Sequence, residues 1–446
     1  MENRFDRVFQ LKPGEASLVL LLGVVLLGNS LAQKVSEIAS ISNFLNDVGS
    51  PQLLILFIVS SAVCFLTTGL QSLLVDRFNR VTLIRGISFG FALAFVVLRV
   101  LFLFKAPNWL SYGFLYLLSE QQLIFFPMVF WILANDIFDI SQSKRLFPLL
   151  ASWGFIGSLI GISITAFSPR LFHQLGIKAE ELLMINILLY LILHFLLEFC
   201  LKNVKIRKTR QRVETMIETL SEGWNFVREV PIFRYLMIVI IATIICENII
   251  EYHFFSVSES AFNDADSYQV FYSYFAFIRF LSLILLQGLI TQRIIAAINL
   301  KNTFFILPFS SLVASLCMMT MSGLGGSIAG LMLQKLPQYG IDETARKSFQ
   351  GIVPEERRGR VSLFMDSYLI AIGGIIGAAV TGIIVLVGKQ LKLSNYFYGY
   401  LVFAVLSALL AIWAVFRMSA VYDSSLLNWR LKRRQRGKSV LDKLDL

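Results

Sequence analysis

Long apolar runs broken by short charged stretches recur from one end of the chain to the other. A helix needs about 20 apolar residues to cross a hydrocarbon core of about 30 Å. Twelve segments reach roughly that length: 16–40, 52–75, 82–104, 110–134, 147–167, 181–201, 232–256, 267–290, 303–321, 323–340, 361–388 and 397–418. The pattern predicts an all-α membrane protein of twelve transmembrane helices. Spans nine and ten are divided only by a turn at Gly323, Gly325 and Gly326. Between spans six and seven runs a long polar connection, Lys202 to Val230, which begins basic. It then sets Val213, Met216, Ile217, Leu220, Trp224 and Val227 at helical spacing. That spacing predicts an amphipathic helix on the inner membrane surface, ended by Pro231. Six spans, a connection and six more make a two-half transporter plan. The expected divisions are 1–201 (N-terminal six-helix bundle), 202–230 (linker), 231–418 (C-terminal bundle) and 419–446 (basic tail).

An internal repeat supports two pseudo-symmetric halves. Moved 216 positions along, Lys144 falls on Arg360, Gly157 on Gly373 and Gly161 on Gly377. A cation followed by Gly-x-x-x-Gly at equal spacing in each half is what a duplication leaves behind. The alternative is coincidence, because Gly-x-x-x-Gly is common wherever membrane helices pack closely.

Charge then gives orientation. Arg4, Arg7 and Lys12 precede span one; Arg77, Arg80 and Arg85 lie between spans two and three; Lys144 and Arg145 follow span four. Six cations from Lys202 to Arg212 follow span six, Arg357, Arg358 and Arg360 precede span eleven, and the tail is basic from Arg430 to Arg436. The alternate loops carry few cations. By the positive-inside rule both termini are expected in the cytoplasm. The net charge of +11 is therefore a topology signal, and nucleic acid is not an expected partner, since the cations flank spans instead of interleaving with aromatics. The tail is a candidate contact for anionic lipid. With 56% hydrophobic residues and a mean hydropathy of +0.70, the chain needs a lipid bilayer around it. A prokaryotic cell (inner) membrane is the expected location, and no cleavable leader pattern precedes span one. Cys64, Cys200, Cys246 and Cys317 lie in apolar runs without Cys-x-x-Cys spacing, and three histidines are scattered. No metal site or cofactor is expected.

Ionisable groups inside spans are costly, so they face a cavity or a partner. Span one carries Asn29, Gln33, Lys34 and Glu37; span four Glu120, Gln121 and Gln122, with Asn135 and Asp136 at its inner end; span seven Glu247, Asn248, Glu251 and His253; span ten Gln334 and Lys335. Lys34 and Glu37, three apart, can neutralise each other. Glu247 and Glu251, four apart, share a helix face. They are either proton carriers and counter-ions of the path or a structural ion pair with Arg279 or Lys335. Lys34, Arg279 and Lys335 suit a small anionic solute. Arg99, near the outer end of span three, is expected to snorkel to the interface.

Two resemblances follow from these residues. Ser72-Leu73-Leu74-Val75-Asp76-Arg77-Phe78-Asn79-Arg80 resembles the Asp-Arg-x-Gly-Arg loop of the major facilitator superfamily, with Ser72 and Asn79 in place of glycines. An asparagine can take the left-handed position of such a glycine. The resemblance implies that Asp76 and Arg77 latch one conformation; the other reading is an ordinary positive-inside loop. It also implies that spans one, four, seven and ten line a central cavity. Phe130-Trp131-Ile132-Leu133-Ala134-Asn135-Asp136 with Ser143-Lys144-Arg145-Leu146-Phe147, then Asn248-Ile249-Ile250-Glu251-Tyr252, then Asp342-Glu343-Thr344-Ala345-Arg346 through Arg358, Arg360 and Asp366, together resemble the non-mitochondrial ATP/ADP translocase (nucleotide transporter) family. That resemblance implies a substrate path through Lys34 and Glu251. It gives gating or folding roles to Lys144, Arg145, Arg346 and Asp366. The family's lysine after the span-seven glutamate is replaced by the Phe254-Phe255 region, and Ser143 and Met365 stand where Ala and Ile are usual.

The expected activity is secondary active transport of an organic anion, a nucleotide first, by exchange or proton coupling through alternating access. The expected substrate-binding set is Lys34, Glu120, Gln121, Glu247, Glu251, Arg279, Gln334 and Lys335. The gating or structural set is Asp76, Arg77, Asp136, Lys144, Arg145, Arg346, Arg360 and Asp366. No phosphate-binding loop, zinc motif or nucleophile–base spacing is legible, so an enzyme is not expected. The rival reading is a non-transporting membrane scaffold or partner subunit on the same fold.

Overall fold

The computed structural model describes residues 15–175, 179–201, 216–351, 353, 355–393 and 395–441, without the side chains of 71–77, 140–141, 144 and 423–441 among others. Outside the described residues lie the N-terminal cations, the basic start of the linker, the basic side chains of the tail, and the side chains of Asp76, Arg77 and Lys144.

Nearly every described residue is helical. Helices α1 (Glu15–Asp47), α2 (Ser50–Arg77), α3 (Arg80–Leu103), α4 (Asn108–Ile137), α5 (Ile140–Leu175) and α6 (Leu183–Cys200) are the first six spans. Helix α7 (Met216–Glu229) is the linker helix, and α8 (Pro231–Ala261) is span seven. Span eight is α9 (Ala265–Leu285) running through a π-helical turn, Leu286–Ile290, into α10 (Thr291–Ile298). Span nine is α11 (Ile306–Thr320). Span ten is α12 (Leu324–Pro337), a second π-helical turn at Gln338–Asp342, and α13 (Glu343–Gln350). Span eleven is α14 (Glu355–Leu363), a third π-helical turn at Phe364–Tyr368, and α15 (Leu369–Gln390); α16 (Phe397–Leu441) closes the chain. Eleven helices among the described residues are long and apolar enough to cross a membrane. The tenth segment, Leu324–Pro337, has only 14 residues and is completed by its widened turn and α13. Gly323 at φ +97° makes the turn before it, in a conformation that suits glycine.

The chain forms two compact units: 1–215 with 259–280, and 216–258 with 281–446. In the first, α1 is the central helix, buried on most of its surface. It can be central because α5 meets it with glycines. A Cβ on Gly157 would lie 2.2 Å from the Leu27 carbonyl oxygen, and one on Gly161 would lie 2.7 Å from that of Leu31. In the second unit α15 meets α8 likewise: a Cβ on Gly373 would stand 3.2 Å from the Ile241 carbonyl oxygen, and one on Gly377 would stand 3.2 Å from that of Ile245. The glycines repeat at a shift of 216 and the residues they face at a shift of 214, so each half contains the same helix pair. Each Gly-x-x-x-Gly is a backbone-to-backbone seam of the kind that joins helices where lipid supplies no hydrophobic drive.

One expectation needs correction. Asn79 is not left-handed; at φ −64°, ψ 130° it caps α3, its side chain accepting from the Val81 N–H. An extended N-cap satisfies a free amide at the helix start, so the family's glycine has no left-handed duty to pass on here. The linker helix forms; Thr219, Gly223, Phe226 and Val227 are its docked face, and Ile217 and Trp224 of the apolar stripe are exposed. Gly223 sets that face, because a Cβ there would sit 2.4 Å from Cγ of Phe364.

Gly157→Ala drives a methyl into backbone that cannot yield. It is expected to destabilise the purified protein by about 1–3 kcal/mol. Gly86 and Gly90 have nothing within 4 Å of the place a Cβ would take, so alanine there is neutral or stabilising by up to about 1 kcal/mol. Thermal unfolding in detergent separates the two classes.

Candidate functional site

Both units hold a buried ionic cluster on their central helix. In the first, Gln33, Lys34 and Glu37 project from α1 and Arg279 from α9. Lys34 Nζ lies 2.5 Å from Glu37 Oε2, and Gln33 Nε2 donates to the same oxygen at 2.9 Å. Arg279 Nη2 is 3.5 Å from Glu37 Oε1 and its guanidinium lies over the Phe275 ring. Lys34, Glu37 and Arg279 keep only 13–14% of their side-chain exposure. The missing side chain of Gly161 makes room here, since a Cβ would come within 3.0 Å of Lys34 Cβ.

In the second unit Lys335 of α12 lies between two acids of α8. Its Nζ is 2.6 Å from Glu247 Oε1 and 3.0 Å from Glu251 Oε2. Gln338 Nε2 donates to the other oxygen of Glu247 at 2.6 Å. The π-helical turns help to place these groups. An extra residue in a turn shifts the side-chain register and frees carbonyls. Gln287 Nε2 donates to the Tyr339 carbonyl at 2.9 Å and Thr291 Oγ1 to that of Gly340 at 2.7 Å, so side chains at the widened turn of span eight satisfy carbonyls freed in that of span ten. Beside Lys335, both amide atoms of fully buried Gln334 lack a hydrogen-bond partner among the described residues.

The expected substrate-binding residues thus divide. Lys335 joins Glu247 and Glu251. Lys34 joins Arg279 through Glu37, which sequence marks only as a neighbour for Lys34. Glu120 sits beside Cys64, whose sulfur receives the Gln121 amide at 3.8 Å. Gln122 turns inward to a structural triad. Its Nε2 donates to the Tyr190 hydroxyl at 2.9 Å, and that hydroxyl donates to Asn29 Oδ1 at 2.7 Å. Arg99, near the outer end of span three, pairs with Glu181 just before span six.

The expected gating residues lie at helix ends in pairs. Arg80 Nε lies 3.3 Å from Asp136 Oδ2. Arg145 Nη2 donates to both Glu15 oxygens at 2.9 Å, with Gln142 joining one of them. Arg346 connects Asp342, at 2.9 Å, to Asp366, at 3.3 Å, and Gln350 donates to Asp366 at 2.8 Å. Arg360 and Arg357 both reach Glu222 of the linker helix, at 3.7 and 3.0 Å. Sequence does not single out Glu15, Arg80, Asp342, Gln350 or Glu222 for these roles. No local spacing joins them to their partners, except Asp342 and Arg346 at i,i+4.

Among the described residues no group of His, Cys, Asp and Glu is placed to hold a metal ion. The arrangement is one of cations held by carboxylates inside apolar helices.

The profile of the TLC ATP/ADP transporter family matches residues 95–337, more than half of the chain. ADP,ATP carrier protein 3 of Rickettsia bellii is 36% identical over 63 residues, 14% of this chain and 12% of that carrier. The carrier of the same name from Rickettsia felis is 40% identical over 58 residues, again 12% of its length. Among solved structures, the nucleoside transporter NupG superposes with a TM-score of 0.65 at 15% identity, covering 90% of this chain and 98% of that one. A D-xylose–proton symporter gives 0.59 at 13% identity, covering 89% and 96%. At such identities they establish the major facilitator-like fold and nothing more.

Lys335→Met leaves buried Glu247 and half-buried Glu251 without their cation. Breaking a buried pair from one side costs about 3–5 kcal/mol, so thermal stability in detergent is expected to fall. Adding Glu247→Gln to Lys335→Met is expected to restore part of the loss. Equal stability of the single and double variants would show that the cluster carries no such strain.

Proposed function

The chain belongs to the TLC ATP/ADP transporter family, and from that premise we propose that it is a secondary active transporter of an organic anion, a nucleotide first, working by alternating access through exchange or proton coupling. One observation carries the proposal. Cations on membrane-embedded helices, Lys34 with Arg279 and Lys335, are each held by carboxylates that a dissolved anion can replace. Burying such groups is costly, and lipid-facing helices that only needed to pack could have done so with apolar residues.

In this reading Lys34, Arg279 and Lys335 attract the anionic solute. Glu247 and Glu251 hold Lys335 between solute visits or take up protons. Gln334, whose amide lacks a partner among the described residues, together with Glu120 and Gln121, lines the path. Asp136 with Arg80, Arg145 with Glu15, Arg346 with Asp342 and Asp366, and Arg360 with Glu222 hold helix ends in one of the alternating states. Asp76, Arg77 and Lys144 belong to the same gating set. The protein sits in a prokaryotic inner membrane with both termini cytoplasmic, its basic tail against anionic lipid. It performs no covalent chemistry on its solute.

Purified protein in liposomes is expected to take up labelled ATP, ADP or AMP, faster when the lumen holds unlabelled nucleotide if it exchanges, or with an inward proton gradient if it is proton-coupled. Lys34→Ala should lower uptake at least tenfold, and Glu251→Gln should slow turnover. Absence of uptake of every nucleotide and of phosphate, from protein that is folded and correctly inserted, would refute the transport reading.

A further inference from the structure

Building on the anion-carrier reading above, we infer that the widened turn of span ten, Gln338–Asp342, is a register switch. It ties the ionic cluster at Lys335 to the latch at Arg346 and, through span eleven, to the linker helix. One run of contacts inside the second unit makes the connection. Gln338, the first residue of the turn, donates to Glu247 Oε2 at 2.6 Å, while Lys335 holds the other oxygen of that carboxylate at 2.6 Å. Asp342, the last residue of the turn, lies 2.9 Å from Arg346 Nε. Arg346 and Gln350 both reach Asp366, at 3.3 and 2.8 Å. Asp366 stands in the widened turn of span eleven, and Phe364 of that same turn presses on Gly223 of the linker helix. Glu222, next to Gly223, pairs with Arg357 and Arg360 at the head of span eleven.

Coupling between distant groups needs a chain of contacts with two discrete arrangements, and the turn supplies them. A π-helical turn holds one residue more than an α-helical one. Relaxing it to α-helix moves everything beyond it by one position, about 100° around the helix axis and about 1.5 Å along it. Arg346 and Gln350, four apart on α13, share a face and leave Asp366 together in that movement. One residue of register thus separates a closed latch from an open one.

The extra residue persists because groups outside span ten hold it. Gln287 donates to the Tyr339 carbonyl and Thr291 to that of Gly340. Leu286 fills the room that Gly340 leaves, since a Cβ there would lie 2.3 Å from Leu286 Cδ2. The hold at Gln338 differs from these, because it ends on the cluster where the solute acts. An anion that takes Lys335 strips Glu247 of its cation and puts a negative charge beside it, in surroundings that screen charge poorly. Glu247 then draws away from Gln338, the turn loses its anchor, and Arg346 releases Asp366. By reciprocity, a loosened latch changes the affinity of the Lys335 site by the same factor.

Hydrogen exchange read by mass spectrometry, on the full-length protein in nanodiscs with and without ATP, tests the switch. In the wild type, ATP is expected to speed exchange in α13 (343–350) and in the linker helix (216–229) by about fivefold or more, the low end of a usual coupling. Exchange in α11 (306–320) should stay as it was, which separates the switch from general loosening. Gln338→Leu removes the anchor and keeps Lys335 with its acids, so the same two segments should exchange fast without ATP. Deletion of Ile341 leaves an ordinary α-helical turn that cannot change register; the variant should bind ATP and show no response in either segment. Exchange unchanged by Gln338→Leu, or an ATP response that survives the deletion, would overturn the inference. Should Gln338→Leu fail to fold, Thr291→Val, which frees the Gly340 carbonyl, takes its place with the same expectation. If ATP does not bind the wild type, the nucleotide reading falls, and the ATP-free comparison of these variants with the wild type still judges the turn. ATP bound to the wild type with exchange unaltered in both segments would overturn the inference as well.

Discussion

A charge in the middle of a bilayer must have a partner, and the interior of this protein is arranged around that requirement. Placing an ionised side chain at the centre of a membrane helix costs a few kcal/mol on insertion scales. Lys34, Arg279 and Lys335 meet the demand through Glu37, Glu247 and Glu251. Each pairing also dictates neighbours. Glu37 requires α9 to lie beside α1 so that Arg279 reaches it, and Lys335 requires α12 to lie beside α8. In the proposed reading a transporter exploits this requirement, an arriving anion taking the place of the carboxylate on its cation.

Close helix contact makes the pairing possible. The glycines of α5 and α15 bring neighbouring backbone within reach, and the same positions clear space for the polar residues. Gly161 borders Lys34, and Gly377 borders Asn248, next to Glu247. Packing seam and ionic cluster are therefore one construction, made twice. The π-helical turns belong to it as well, since the turn at Gln338–Asp342 begins with the residue that donates to Glu247.

Much of the scaffold is legible from apolar run length and loop charge, and the paired Gly-x-x-x-Gly at a shift of 216 identifies the two seams. The Lys34–Glu37 contact is legible too, being local. The remaining partners are not. Helices that are apolar nearly all round carry little periodicity to say which face meets which neighbour, so nothing marks Arg279 for Glu37 or selects Lys335 over Arg279 for Glu247 and Glu251. Register within spans eight, ten and eleven is hidden by widened turns. The docked face of the linker helix departs from its apolar stripe because a glycine, Gly223, governs it, and hydrophobic spacing gives a glycine no weight. The glycine contacts set 33–37 against 247–251, a register in which only Glu37 and Glu251 are identical. The glycine repeat does not reveal it, because the shift there is 214 and not 216.

What matters most is whether an anion replaces Glu37 at Lys34 and Arg279. The most direct measurement is a structure of the protein with a nucleotide bound, reading the distance from Lys34 Nζ to the nearest solute oxygen. A phosphate oxygen within hydrogen-bond reach of Lys34, with the Glu37 carboxylate turned away, is the expected result. Bound nucleotide with the Lys34–Glu37–Arg279 contacts intact and the phosphate elsewhere would contradict it.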